Sequence, residues 1–212
     1  MAVADPPTEA IRLSPPEYGA CQRVLATSDW ALPHVHQVAR NAARLFDALR
    51  QFHGLGRDEE RLLVAAALLH DVGYPADPER HHKVSARMVR TLLGPPFADD
   101  EVALIALIAR YHRGPCPKLR HRRYAALAPE HRALVTWLGG ILRVADGLDR
   151  AHDGAVGGIA ASGHDGRLVL RVAPAVPTEA AAGLLAEDVA GGMRKRDLLE
   201  RALGRSVVIK AR

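Results

Sequence analysis

The chain has 212 residues, a formal charge of +5, 48% hydrophobic residues and only 4% aromatic ones. That length supports one sizeable core with at most a small appendage, no uncharged apolar run approaches the roughly 18 residues of a membrane span, and the scarcity of aromatic rings argues against nucleic acid as a partner. The N-terminus lacks a basic segment followed by an apolar one, and Cys21 and Cys116 stand far apart in no CxxC spacing, so the reading is an unexported protein of a reducing cytoplasm.

Residues 1–15 are rich in Pro and small side chains and read as a flexible leader, with order expected from about Glu17. From Leu32 to Leu49 the apolar positions Val35, Val38, Ala39, Ala42, Leu45, Phe46 and Leu49 recur at helical spacing, and Gly54 and Gly56 punctuate the end. The same logic predicts helices over 58–71, 82–93, 99–112 and 130–151, giving five helices before residue 152 and a helical body over 16–153. Beyond it the pattern changes. Val156–Ala161 and Arg167–Val172 flank a Ser-Gly-His-Asp-Gly turn and read as a hairpin. A helical pattern over 178–203, with a break expected at Gly191-Gly192, leads to a third strand at 206–210. The expected fold class is mainly α: a helical bundle with a small α+β extension of three short strands over 154–212, packed on the bundle.

The chemistry centres on His70-Asp71, which ends the apolar run Leu62–Leu69 and precedes Val72-Gly73. His70 lies four residues after Ala66 and seven after Leu63, so it shares their inward face, where a buried imidazole demands a partner. Alone, the pair reads more readily as a capping Asp beside a satisfied core histidine. The arrangement recurs, however: His34 stands four residues before Val38, His112 four after Ile108, and Asp146 four after Leu142. Separate helices each turn one imidazole or carboxylate inward, which is how helical bundles build metal sites. A donor set of imidazole and carboxylate without thiolate suits Mn, Fe, Co, Ni or Zn better than Mg or Ca. By contrast His36, about 200° round its helix from His34, and His53, His121, His131, His152 and His164 read as solvent-facing or loop residues, and Tyr111 as core. Arg143 and Asp149 read as an internal ion pair beside Asp146.

The order His34, His70-Asp71, Asp146 resembles the motif of the HD superfamily of metal-dependent phosphohydrolases. The stretches His34-Val-His-Gln-Val-Ala-Arg-Asn, Ala66-Ala-Leu-Leu-His-Asp-Val-Gly73, His81-His-Lys-Val-Ser85, Arg110-Tyr-His-Arg113 and Leu142-Arg-Val-Ala-Asp-Gly-Leu-Asp-Arg150 are similar to the C-terminal, HD-type domain of exopolyphosphatase/guanosine pentaphosphate phosphohydrolase proteins, from about residue 17 to 210. Two-domain members of that family begin with an actin-like catalytic domain, for which this chain is too short, so the resemblance is to the HD-type domain standing alone.

The resemblance implies that His34, His70, Asp71 and Asp146 hold one metal, that Asp71 bridges to a second where there is one, and that Asp146 completes the shell and orients the nucleophile. His81 and His112 match the further histidines of two-metal members, with His82 the competing choice. Close relatives often read His-His-Lys-His-Ser where this chain has Val84, so one polar member of that cluster is missing. Cations suited to phosphate lie beside these ligands: Lys83, Arg110, Arg113, Lys118 and Arg150, with Lys83 and Arg113 the preferred pair and Lys83 also a candidate catalytic group. The implied activity is metal-dependent hydrolysis of a phosphorylated nucleotide of the alarmone kind, of another small phosphate ester or anhydride, or of polyphosphate, by a chain that could form a homodimer. The alternative is a non-catalytic module that senses a phosphorylated ligand or serves a polyphosphate-handling partner.

Overall fold

The computed structural model describes residues 12–28, 32–164, 166–176 and 178–212. Most of the expected leader, residues 1–11, and Asp165 of the expected hairpin turn lie outside the described residues. Ten helices and three strands are present among those described. The longer helices of the body are α1 (Pro15–Leu25), α2 (Leu32–Ala48), α4 (Arg57–Leu69), α5 (His81–Leu92), α6 (Asp99–Arg110) and α8 (Pro129–Gly147), with four-residue turns of helix at α3 (Arg50–His53) and α7 (Arg122–Ala125). The five expected helices are therefore joined by α1, α3 and α7. The two short ones are too brief to show a period in sequence.

Three of these helices start in the same way. Glu17, Glu59 and Glu101 each reach back three residues to accept the backbone N–H of Ser14, Gly56 and Ala98, at 2.9, 2.7 and 3.0 Å. Each bond satisfies a donor next to the helix start, and the carboxylate suits the positive end of the helix dipole. Helix α4 is the hub of the bundle. Every residue from Leu62 to Leu69 is buried, because α1, α2, α6 and α8 all pack around it.

The C-terminal region forms a three-stranded sheet of β1 (Val156–His164), β2 (Arg167–Pro174) and β3 (Ser206–Ala211), with β1 antiparallel and β3 parallel to β2. Leu168, Leu170 and Val172 alternate inward from β2, and Val207 and Ile209 from β3. Helices α9 (Glu179–Arg194) and α10 (Asp197–Leu203) connect the hairpin to β3, and both pack on α8, while β1 lies against α2.

The expected break at Gly191-Gly192 does not occur: α9 runs through both glycines and ends at Arg194. The glycines serve close approach instead. A Cβ at Gly147 would lie 2.7 Å from the Gly191 carbonyl carbon, and one at Gly140 of α8 would lie 2.8 Å from the backbone of Leu199 in α10. Two helices thus cross α8 nearly backbone to backbone. Among the described residues no helix is long and apolar enough to cross a membrane.

Candidate metal centre

The polar groups converge because four helices end, or pass, at one place beneath α4. His70 caps α4 with helical dihedrals, and the chain then turns through residues 70–76, where Asp71 points back toward the same spot. Gly73 permits the next step. A Cβ there would stand 2.5 Å from the Ser85 nitrogen and 2.9 Å from the His81 oxygen, so only glycine lets the first turn of α5 seat against this turn. The Gly73 N–H donates to Ser85 Oγ at 2.9 Å, fastening α5 in place and bringing His81 to Asp71. Helix α2 supplies His34, the end of α6 supplies His112, and α8 supplies Asp146.

Four imidazoles share one hydrogen-bond pattern. Nδ1 of His34 lies 2.7 Å from Asp149 Oδ2, and Nδ1 of His70, His81 and His112 each lie 2.7 Å from the carbonyl oxygens of Ala67, Pro78 and Ala109. Carbonyl and carboxylate oxygens only accept, so Nδ1 carries the proton in every case and Nε2 presents a lone pair. Those Nε2 atoms gather around two carboxylates. Asp71 Oδ1 is 3.1 Å from His81, 3.5 Å from His112 and 3.6 Å from His70, and Asp146 Oδ1 is 3.8 Å from His34.

These atoms fit a divalent cation. Three groups each bring their ligand atoms within 4.8 Å of one another: His34, His70 and Asp71; His70, His112 and Asp146; Asp71, His81 and His112. Asp71 belongs to two of them and so stands between two adjoining positions. His70 Nε2 and Asp71 Oδ1 are buried with no hydrogen-bond partner, an arrangement that is costly without a bound ion. His81 and His112 also face each other Nε2 to Nε2 at 3.1 Å with both Nδ1 positions protonated, so two lone pairs oppose where a cation would be shared.

Burial pushes the His112 imidazole far below its ordinary pKa and lowers that of His81, so both are neutral, as ligands must be. His34 is different: burial would lower it, but the hydrogen bond to Asp149 and the charge of Asp146 raise it overall. Burial opposes ionisation of Asp146 too, yet the Lys195 ammonium beside it holds its carboxyl well below the usual range.

The other candidates separate. His82 is buried beside the centre, its ring centroid 5.9 Å from that of His81 and 6.4 Å from that of His112, but it belongs to none of the three groups. Arg113 Nη1 lies 3.3 Å from His81 Nδ1, at the edge of the centre. Lys83 and Arg110 line a pocket between α5, the end of α6 and α7, and Arg113 is not among its lining residues. Lys118 and Arg150 are exposed. Arg150 contributes its backbone N–H to Asp188 Oδ1 at 2.7 Å.

Two expectations are corrected. Arg143 does not pair with Asp149: its guanidinium holds Asp197 at 2.9 Å and the carbonyl of Gly114 at 2.9 Å, because α8 ends at Gly147 and the chain turns Asp149 back toward α2. His36 and His53 are half-buried rather than solvent-facing: Tyr18 of α1 reaches His36, Oη to Nε2 at 3.0 Å, and His53 packs on Phe46 and donates from Nε2 to the Phe46 carbonyl at 2.9 Å.

Three residues not singled out for the site in the sequence join it. Asp149 holds His34, and exposed His152, at φ +59°, stacks its ring on His34 with centroids 4.0 Å apart. Lys195, from the turn between α9 and α10, pairs with Asp146. Asp149 was readable as a second carboxylate three residues after Asp146, and Lys195 only as part of the basic run Arg194-Lys-Arg196.

Fold and site together define a helical domain whose interior gathers imidazoles and carboxylates able to hold a metal. The family described as Ppx/GppA phosphatase, domain III, matches residues 30–162, and the chain belongs to that family. The match spans α2 through nearly all of β1 and includes all six converging residues; Lys195 lies beyond it. No curated protein sequence gives a significant match.

Proposed function

We propose that this chain is an HD-type, metal-dependent phosphohydrolase of the cytoplasm that acts on a phosphorylated nucleotide or another small phosphate ester or anhydride, polyphosphate included. The reading is supported above all by the four imidazoles that each direct a protonated Nδ1 to an oxygen and a free Nε2 toward Asp71 or Asp146. Membership of a phosphatase family supports the class of reaction.

His34, His70, Asp71 and Asp146 would hold one ion, and Asp71, His81 and His112 a second of Mn, Fe, Co, Ni or Zn. When bound, such an ion activates water at neutral pH and polarises a phosphoryl oxygen. The chain's own residues do the rest. Asp149 fixes the His34 ring, the backbone carbonyls fix the other three, and buried α4 keeps bulk water behind the centre. Arg113, half-buried beside His81, is placed to donate to a phosphate oxygen, and Lys195 beside Asp146 can offset charge on a leaving group.

A second reading is a non-catalytic module that binds a phosphorylated ligand. One observation favours it: Lys195 already neutralises Asp146, as a domain with no need of a metal there would allow. The experiment is phosphate release from nucleotides, alarmones and polyphosphate with each metal added in turn, and Asp71→Ala as control. Release that needs both metal and Asp71 supports the enzyme. Binding of phosphorylated compounds without release in any metal supports the module.

A further inference from the structure

The pocket that takes Lys83 and Arg110 has a character of its own. Its volume is about 320 Å³, and five of its lining residues are cations: Lys83, Arg90, Arg110, Arg122 and Arg123. Not one acidic side chain lines it. Several arginines outside the pocket are neutralised: Arg12 holds Asp47 and Glu60, Arg61 holds Glu17 and Glu101, and Arg143 holds Asp197. Among the described residues none of the five pocket cations pairs with a carboxylate.

Arg110 is the informative member. Its Nη1 is buried with no hydrogen-bond partner, while its guanidinium lies over the Tyr111 ring, 5.5 Å from the centroid. A buried guanidinium N–H left without an acceptor is costly, and crowding four arginines and a lysine without counter-charge adds repulsion. Burial together with Arg123 and Arg87 lowers the Arg90 pKa, which agrees with a cluster short of anions. Both costs vanish if an oxyanion fills the pocket, since planar guanidinium forks match phosphoryl oxygens two at a time.

We propose that this pocket is a second anion site, independent of the metal centre, for a phosphoryl group carrying at least two negative charges. His82 stands between the two sites, its ring against His81 and His112 on one side and within the field of Arg110 and Lys83 on the other. The shared chemistry is a multiply charged phosphoryl tail, which an inorganic oligophosphate or a nucleoside triphosphate can each supply. The pocket's small volume and lining of guanidinium groups favour the tail over a base.

The test is calorimetric binding of inorganic triphosphate to the full chain in chelator, so that no metal contributes. Arg110→Ala should weaken binding about tenfold or more, as loss of a charge-assisted fork does. The exposed Arg123→Glu, which leaves the core untouched, should weaken it by a similar factor. Asp71→Ala and His81→Ala should leave it within about twofold. A nucleoside triphosphate binding as tightly as triphosphate assigns the source to the tail alone, and tighter binding of the nucleotide assigns a nucleotide ligand; either supports the site. Undiminished binding in both arginine variants, or loss of binding in Asp71→Ala, overturns it. Because no turnover is read, failure here leaves the proposed hydrolysis standing, and failure of hydrolysis leaves this site standing.

Discussion

His34 on α2 and Asp149 in the turn after α8 meet across 2.7 Å with both side chains buried. The bond fixes the tautomer of the imidazole and aims Nε2 at Asp146, 3.8 Å away. Such outer partners of a metal ligand are worth about ten- to hundredfold in metal affinity. Asp149→Ala should therefore lower affinity for the bound ion by about that factor, measured by competition with a chromogenic chelator. Unchanged affinity would show that the ring is oriented by packing alone.

Gly73→Ala should harm the centre without touching a ligand. The added Cβ meets the backbone nitrogen of Ser85 at 2.5 Å and the Val84 Cβ at 2.7 Å, neither of which is a flexible side-chain end. The first turn of α5 must move, and His81 with it. Thermal unfolding should report a loss of about 1–3 kcal/mol, and metal stoichiometry should fall, while the far edge of the sheet keeps its amide protection.

Lys195→Met should strengthen metal binding. The ammonium pairs with Asp146, which a cation must share or win. Partly exposed ion pairs are worth about 1 kcal/mol or less, so affinity should rise by up to about fivefold. Isothermal titration of metal-free protein measures this, and weaker binding in the variant would place Lys195 as a support for the carboxylate rather than a competitor.

Asp188 carries a pH dependence. It is buried in α9, accepts backbone N–H bonds from Arg150 and Ala151, and leaves Oδ2 without a partner. Burial pushes its pKa up to about 6, against opposition from those two bonds. A folded-state acid with a raised pKa holds its proton longer than the unfolded chain does, so stability falls as pH rises from the ordinary carboxylate range toward about 6 and then levels. The stability of Asp188→Asn relative to wild type should thus improve between pH 4 and 6 by about 1.4 kcal/mol per unit at most. Denaturant unfolding at several pH values checks it, and a difference independent of pH would contradict the raised pKa.

The bundle was legible where burial is periodic. Val35, Val38, Ala42 and Phe46 mark the inner face of α2, and the seamless run Leu62–Leu69 marks a helix enclosed on every side. The inward groups were legible for the same reason: His34, His70 and His112 sit at helical spacing from core residues, so local periodicity alone turns them toward the interior. What the chain does after a helix ends was not legible. The extra turn expected at the end of α8 does not form, and residues six apart stand about 120° round a helix, so it would not have brought Asp149 to Arg143 either. Ending at Gly147 sends it to His34 instead. Gly191-Gly192 suggested a break because glycine disfavours helix interiors, but contact with Gly147 of α8 outweighs that preference. Lys195 reaches Asp146 across 49 residues, a pairing that depends on how α9 crosses α8 and leaves no local trace.

On the proposed reading, His34, His70, Asp71, His81, His112 and Asp146 form one metal centre. The most direct measurement is metal content per chain, by mass spectrometry of protein equilibrated with Mn, Fe, Co, Ni or Zn and desalted, for wild type, His81→Ala and Asp71→Ala. Retained metal is expected in wild type, a lower content in His81→Ala, and almost none in Asp71→Ala, with all three folded by circular dichroism. Wild type that retains none of the five metals, or Asp71→Ala that retains as much as wild type, would contradict it.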